Sequence, residues 1–382
     1  MKLSDGQDDK AFREEARDWL ETNKPRGPRP REGDGQRSFD CAWQRRKYDG
    51  GWAGLSWPAA FGGRSLSLAR QMIWYEEYAK AACPTGIDIC WLGLHHAGPT
   101  LIAMGSQAQK REHLERILTG EAVWCQGFSE PNAGSDLAAI RTRGVVDGDC
   151  LVVDGQKTWT SFAHCADYQE LLVRSDPDSK RHAGLTWIIC DMRSEGVSVR
   201  PIRSLTGEAH NCEVFYDNVR IPIANIVGEL NDGWRVAMAT LGFERATAGL
   251  GEIAEIGVLV EELIAAASKM APGEVGELLQ YDLAKVRADA QALRALGHQV
   301  VSRAECGAIP GSEGSIVRLF QTELEKRVGR LAMELLAQRS LDKATCPAWT
   351  HRYFFSFAQT IAGGSSEIQR NIIGERLLGL PR

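Results

Sequence analysis

Hydrophobic spacing changes period twice along this 382-residue chain, and that switch constrains its architecture more than any single motif. From Asp8 to about Gly120, apolar residues recur at three- and four-residue intervals, as Phe12, Ala16, Trp19 and Leu20 do on an otherwise charged stretch. From Glu121 to Gly228 the period is two. Thr186–Cys190, Val197–Ile202 and Glu213–Val219 are short β-branched or alternating runs parted by Asp, Gly, Pro and Asn. From Asn231 the helical spacing returns, with breaks at Ala271-Pro272-Gly273, Ile309-Pro310-Gly311 and Cys346-Pro347. The pattern predicts an α+β chain with an N-terminal α-helical domain over 1–120, a middle β-sheet domain over 121–230, and a C-terminal antiparallel helical bundle over 231–382.

Charge and cysteine content narrow the function classes. A net charge of -5 leaves no electrostatic footprint for nucleic acid. The basic clusters at Arg26–Arg31 and Arg45–Lys47 are interrupted by Pro, Gly or acids, as solvated faces are. The ten cysteines contain no CxxC pair and no matching His spacing, so neither a zinc site nor a disulfide framework is written here. Reduced thiols fit a cytoplasmic protein. The polar N-terminus and the lack of any run of 18 apolar residues indicate neither secretion nor a membrane span. His95-His96, in the nearly uncharged stretch Gly86–Gly105, cannot readily share a metal, because adjacent residues on a helix point about 100° apart. No metal is expected.

The densest chemistry lies in Trp124–Asp136, WCQGFSEPNAGSD, and Lys157–Ser161, KTWTS. Asp147-Gly148 and Asp154-Gly155 flank the apolar run Cys150–Val153 between them, which predicts two tight turns around a strand and puts both motifs on one small sheet. The motifs offer a backbone bend at Glu130-Pro131-Asn132, hydroxyls at Ser129, Ser135, Thr160 and Ser161, and the Trp159 indole. Those groups suit a flat ring with polar edges. The plain alternative is a turn whose Ser135 and Asp136 cap a short helix.

SEPNAGSD followed by QKTWTS resembles the flavin-contacting signature of acyl-CoA dehydrogenases, and the ending SSEIQRNIIGERLLGLPR is similar to that family's C-terminal signature. The resemblance runs from about Asp8 to Arg382. It implies a β-barrel-like middle domain and a C-terminal four-helix bundle, FAD as cofactor, an acyl-CoA substrate, an electron-transfer flavoprotein as partner, and a dimer or tetramer. FAD contacts are then expected from Gln126, Phe128, Ser129, Trp159, Thr160, Ser161 and Gly364. Ser135 faces the pantetheine or phosphate end of the thioester carrier, and Trp91 lies on a helix that walls the acyl pocket.

The reaction so implied removes an α proton while hydride leaves the β carbon, so a base has to be found. Many members carry a glutamate four residues before Glu367, but Gly363 stands there. Other branches carry it in the first long helix after the sheet, immediately before an arginine, where this chain reads Phe243-Glu244-Arg245-Ala246. Trp234, Met238, Leu241 and Ala248 trace an apolar stripe, and Glu244 follows Leu241 by three residues. Desolvation on such a stripe raises a carboxylate pKa toward that of a useful base, whereas the plain alternative is a surface Glu-Arg pair. Beside the vacant position at Gly363, Glu244 is expected to be the base. Arg245 is assigned to the substrate site as an organiser of packing and charge. The Gly363 N–H is expected to polarise the thioester carbonyl, and Ser366–Gln369 reads as a capping box opening the last helix.

The family's Arg-x-x-Phe-Gly loop is replaced by SKMAPGEVGELLQ, which carries acids where a diphosphate clamp needs cations. This replacement, with the GGSSEIQ ending, resembles the actinobacterial steroid or cholesterol side-chain branch, some of whose members are heteromers. Three alternatives stand beside the enzyme: a non-catalytic or half-site partner subunit, an oxidase, and a dehydrogenase of carrier-protein thioesters.

Overall fold

The computed structural model describes residues 6–84, 88–271, 273–306, 312–337 and 347–381, and only the backbone of residues 244–248 and 347. In chain order the helices are α1 (Gln7–Asn23), α2 (Gly33–Asp49), α3 (Leu68–Lys80), α4 (Gly98–Met104), α5 (Gln107–Leu118), α6 (Gly233–Ala267), α7 (Glu277–Glu305), α8 (Glu313–Leu336), α9 (Pro347–Gln359) and α10 (Ser366–Ile372). The strands are β1 (Trp124–Gly127), β2 (Arg143–Asp147), β3 (Cys150–Ser161), β4 (Tyr168–Arg174), β5 (Leu185–Asp191), β6 (Val197–Ile202) and β7 (Asn211–Pro222). The predicted order of helices, sheet and helices is the one found. Two compact units result: Pro25–Ser65 with Ile87–Arg245, and Met1–Lys24 with Leu66–Gly86 and Ala246–Arg382. The helices before the sheet are therefore divided between the units, which local periodicity cannot show.

In the sheet-containing unit the seven strands run β1-β4-β2-β3-β7-β6, with β5 on β4. Strands β1 and β2 share one edge of β4 end to end, both parallel to it, and the other pairs are antiparallel. Alternate residues feed two cores. Trp124, Leu172, Trp187 and Ile189 pack with Leu101, Leu114 and Ile117 of α4 and α5, while Cys125, Leu171, Val173 and Ile188 pack with Val153, Val214 and Ile221. This two-sided burial explains why β5 reads as a nearly continuous apolar run and why Gln169 and Glu170 of β4 are fully buried.

Three local readings need correction. Asp147-Gly148 does turn the chain between β2 and β3, but Asp154-Gly155 lies inside β3 at a register shift against β7. Gly155 has φ +147°, and a Cβ there would lie 2.7 Å from Thr142 Oγ1, so the glycine serves a bulge. The apolar segment ending at Gly105, whose start lies outside the described residues, is not one regular helix. A π turn, Gly93–Ala97, precedes α4, the Leu94 carbonyl accepts from Trp57 Nε1 at 2.9 Å, and Gly98 leaves room for the Trp57 ring. Third, the cap of α10 is Ser365, whose Oγ accepts from the Ile368 N–H. Ser366 instead donates to Glu323 at 3.2 Å.

In the helical unit, Ile253, Ile256, Val260 and Leu263 of α6 pack with Leu283, Val286 and Leu293 of α7 and Leu324, Val328 and Leu331 of α8. Burial pushes the Glu76 carboxyl of α3 up, but His298 and Arg294 of α7 and Arg13 of α1 outweigh it and hold the group at about 2. The Pro-Gly break at 309–311 and Cys346 lie outside the described residues.

Candidate active site

The two central motifs are stitched together by a lysine. Lys157 is fully buried, and its Nζ donates to the Phe128 carbonyl at 3.0 Å and to Glu130 at 2.8 Å. The Thr158 N–H donates to the Ser129 carbonyl at 2.9 Å. Glu130 also accepts from the Arg141 and Thr142 N–H groups, and its own N–H and C=O pair with Ala133 across the Pro131-Asn132 turn. Burial pushes the Glu130 carboxyl up, but Lys157 and its hydrogen bonds outweigh it and hold the group below its usual range. Burial pulls the Lys157 ammonium down to about 8, with Glu130 opposing.

That frame presents Trp159. A second register shift, between Lys157 and Thr160, turns Trp159 outward with φ +57° while Lys157 and Thr160 on either side are fully buried. Its indole is 63% exposed. A bulky residue in the left-handed region costs about 1–2 kcal/mol, and an exposed indole held at that cost is suited to stacking on a flat partner. Ser129 and Ser161 are half-buried nearby in sequence, with Ser161 Oγ donating to Asn211 at 3.0 Å. Thr160 points its hydroxyl into the sheet, and the Phe128 ring is buried, so both offer only main chain to a ligand. A planar cofactor with polar edges fits this cradle. Trp159→Gly is expected to leave the thermal midpoint of the flavin-free protein unchanged or higher, while weakening flavin binding by about 0.5–1.5 kcal/mol. Differential scanning calorimetry and flavin titration check the two halves.

The Gln126 side chain is engaged elsewhere. Its Nε2 lies 3.0 Å from His96 Nδ1 and donates to Glu170 at 3.2 Å, and His96 and Glu170 are themselves 3.2 Å apart and buried. A direct flavin contact from Gln126 would use its main chain. Trp91 is half-buried with its ring against His95 and His96, at 5.1 and 4.9 Å. Among the described residues no group of three His, Cys, Asp or Glu is arranged to hold a metal ion, and no helix is long and apolar enough to cross a membrane.

Ser135 is exposed on the loop beyond the turn. Asp136 precedes a short 3-10 turn, Leu137–Ala139, without a side-chain cap bond, so the capping alternative fails there. Beyond that turn opens a cavity of about 440 Å³ lined by Arg141, Arg143, Arg174 and Arg181, with Ser179. Arg174 spends its guanidinium on the carbonyls of Ala138, Ile140, Arg181 and Ala183. Arg143 shares Asp154, Arg181 lies 3.9 Å from Asp136, and Arg141 makes no ion pair among the described residues. The wall is basic and suits a phosphate.

Glu244 and Arg245 lie within α6, but their side chains, like that of Ala248, fall outside the described residues. Along the preceding turns the deepest positions are Val236, Ala237 and Thr240, while Trp234, Met238 and Leu241 are half-buried against the same core. The stripe is thus rotated from the one read in the sequence. In the other unit, Gly363 and Gly364 have φ +65° and +97°, and both carbonyls accept from Gln369 Nε2, at 3.2 and 3.1 Å. Gln369 holds this turn rather than completing a capping box.

The sequence motifs name Lys157, Glu130 and His96 but give them no part in such buried pairs, and Glu170 is not singled out at all. One signal was present: a glutamate in the run YQELLV has no solvated face to occupy in a strand covered on both sides.

Comparison with known proteins places the whole chain. The family models described as acyl-CoA dehydrogenase N-terminal, middle and C-terminal domains match residues 6–121, 125–219 and 231–378. The chain is 38% identical over 390 residues to acyl-CoA dehydrogenase IpdE1 of Mycobacterium tuberculosis, covering 98% of this chain and 99% of that one. Among solved structures it is similar to the ChsE4-ChsE5 complex from Mycobacterium tuberculosis, with TM-score 0.86, 33% identity and 100% of both chains covered. It is also similar to the Tcur3481-Tcur3483 steroid ACAD, with TM-score 0.87, 28% identity and 100% of both chains covered. On the matched domains and these near-complete alignments, the chain belongs to the acyl-CoA dehydrogenase family of FAD-dependent oxidoreductases.

Proposed function

We propose that this chain catalyses α,β-dehydrogenation of an acyl-CoA to the 2-enoyl-CoA. The observation that carries the reading is the exposed Trp159 indole on its strained bulge, braced from beneath by the Lys157–Glu130 pair. Ser129, Trp159, Ser161 and the main chain at Gln126, Phe128, Thr160 and Gly364 would hold FAD, which when bound supplies the acceptor for the β hydride. Glu244 takes the α proton. The Gly363 N–H donates to the thioester carbonyl and stabilises the enolate-like charge that develops there. Arg245 sets packing and charge next to the base, and Trp91 contributes to the acyl wall. Reduced enzyme passes its electrons to an electron-transfer flavoprotein.

The arginine cavity beyond Ser135 supports CoA as the carrier, since a nucleotide diphosphate with a further phosphate supplies the charge that Arg141 and Arg181 are placed to meet. Exposure limits each to about 1 kcal/mol. Arg141→Ala and Arg181→Ala are each expected to raise KM for acyl-CoA about fivefold and to flatten its salt dependence, leaving KM for the same acyl group on pantetheine unchanged. Steady-state kinetics across ionic strength distinguishes this from a general loss of fold.

A second reading is favoured by the two-component names of the ChsE4-ChsE5 and Tcur3481-Tcur3483 relatives and by Gly363 standing in place of a carboxylate. In it the chain is one subunit of a heteromer and shares its site with an unlike chain. The flavin-to-protein ratio separates the readings: one flavin per chain after purification alone supports the self-sufficient enzyme, and a colourless chain that turns yellow only with another subunit supports the heteromer.

A further inference from the structure

An arginine clamps the peptide group that carries the Gly363 N–H. Arg318 of α8 donates from Nη2 to the Gln359 carbonyl at 3.2 Å, and to Gln359 Oε1 and the Ala362 carbonyl at 3.3 Å each. The Ala362 carbonyl and the Gly363 N–H are the two ends of one peptide unit, which is planar and trans. They point in opposite directions, so an oxygen fixed on Arg318 aims the N–H away from the guanidinium. Gly363 is exposed, and its N–H makes no hydrogen bond among the described residues. Capping the end of α9 accounts for the bond to the Gln359 carbonyl, but not for the reach to Ala362, three residues beyond the helix.

The peptide units that follow are fixed from α10. The Gly363 and Gly364 carbonyls both accept from Gln369 Nε2, at 3.2 and 3.1 Å. Gly363, with φ +65°, is thus the joint between a peptide set by Arg318 and a peptide set by Gln369. Burial also keeps neighbouring carboxyls from neutralising the guanidinium. It pushes Glu252 of α6 up to about 8 and Glu325 of α8 up to about 7, with Arg318 among the opposing groups in each case. Neither is fully ionised at neutral pH, so the Arg318 charge is turned on the carbonyl oxygens. All of these residues belong to the helical unit.

We propose that Arg318 is a positioning residue for the reaction: through the Ala362–Gly363 peptide it aims the Gly363 N–H and strengthens it as a donor to the thioester carbonyl. The inference rests on the part given to Gly363 in the acyl-CoA reading above. A charged donor on a carbonyl oxygen draws electron density along the peptide, and the N–H at the other end becomes a stronger donor by about 10–30%. As enolate-like charge grows on the thioester oxygen, the cation acts on it through that peptide. Arg318 itself touches no reacting atom.

The test is infrared difference spectroscopy of the oxidised, flavin-loaded protein with a 2-enoyl-CoA labelled with carbon-13 at the thioester carbonyl. Its chain is that of an acyl-CoA that bleaches the flavin, and as the product it binds without turning over. Wild type is expected to lower the carbonyl stretch on binding. Arg318→Met and Arg318→Gln each lose part of that shift and lower kcat about tenfold, with KM within about twofold of wild type. The fall is smaller than the roughly 10²–10³ for deleting an oxyanion donor, because the N–H remains. The glutamine keeps an amide donor and guards against misfolding of the methionine variant. Arg318→Lys restores a cation and recovers part of both effects, and Gln359→Met, which removes only a side-chain partner, leaves the shift in place. A thioester band unchanged in Arg318→Met and Arg318→Gln, or moved equally in Gln359→Met, overturns the inference and leaves Arg318 as a cap of α9. A wild type that binds the enoyl-CoA without any shift overturns the part given to Gly363 itself, and the two failures are thus told apart.

Discussion

Glu244→Gln is expected to retain flavin and acyl-CoA while turnover falls by about 10²–10⁴-fold, the usual contribution of a positioned base. The amide has nearly the shape of the carboxylate but cannot take up a proton. Exchange of the substrate α proton with deuterated solvent isolates that step from hydride transfer, and the variant is expected to lose it. The physical basis is the position of Glu244 in α6, downstream of a segment whose Val236, Ala237 and Thr240 are fully buried. Undiminished exchange in Glu244→Gln would assign the base to another group.

Lys157→Met is expected to cost about 3–5 kcal/mol and to release the flavin, a large effect for a residue that does no chemistry. The loss leaves Glu130 buried without its cation and frees the Phe128 carbonyl, so the SEPNAG turn keeps the main-chain bond from Thr158 to Ser129 but loses the side-chain tie to β3 on either side of it. Lys157→Met with Glu130→Leu removes the stranded charge and is expected to recover part of the stability but not the flavin, because the Arg141 and Thr142 N–H groups lose their acceptor. The pH dependence follows from the two directions. Glu130 titrates lower in the fold than in the unfolded chain, so its contribution is present above about pH 4.3 and is lost as pH falls through the depressed value. Lys157 titrates at about 8 in the fold against 10.5 for the ordinary group, so between these values the unfolded chain binds more protons and this group's contribution rises with pH. Urea denaturation from pH 3 to about 10, on wild type and variant, reads both limbs, and both are expected to flatten in Lys157→Met.

The layered order of the fold was legible because hydrophobic period is a local property of the chain. The Asp147-Gly148 turn was legible for the same reason. Asp154-Gly155 misled because a glycine with positive φ serves a bulge as well as a turn, and only the β7 partner decides between them. The outward Trp159 follows from that pairing too, since strict alternation cannot place Lys157 and Thr160 on the buried side together. Burial of Lys157 was illegible because its partner Glu130 lies 27 residues away, and although the run YQELLV hinted that Glu170 is buried, its partner His96 lies 74 residues away. The division of the first helices between two units likewise depends on distant contacts. Ser365 displaced Ser366 as the cap because Glu323 of α8 claims the Ser366 hydroxyl.

Dehydrogenation with Glu244 as base is tested most directly by anaerobic mixing of the purified protein with a panel of acyl-CoAs while the visible band of oxidised flavin is followed, wild type beside Glu244→Gln. Wild type is expected to bleach rapidly with at least one acyl-CoA, with the variant equally yellow at the start and still yellow at the end. Equal bleaching of the two contradicts the assignment of Glu244, and a flavin-loaded wild type that no acyl-CoA bleaches contradicts dehydrogenation by this chain.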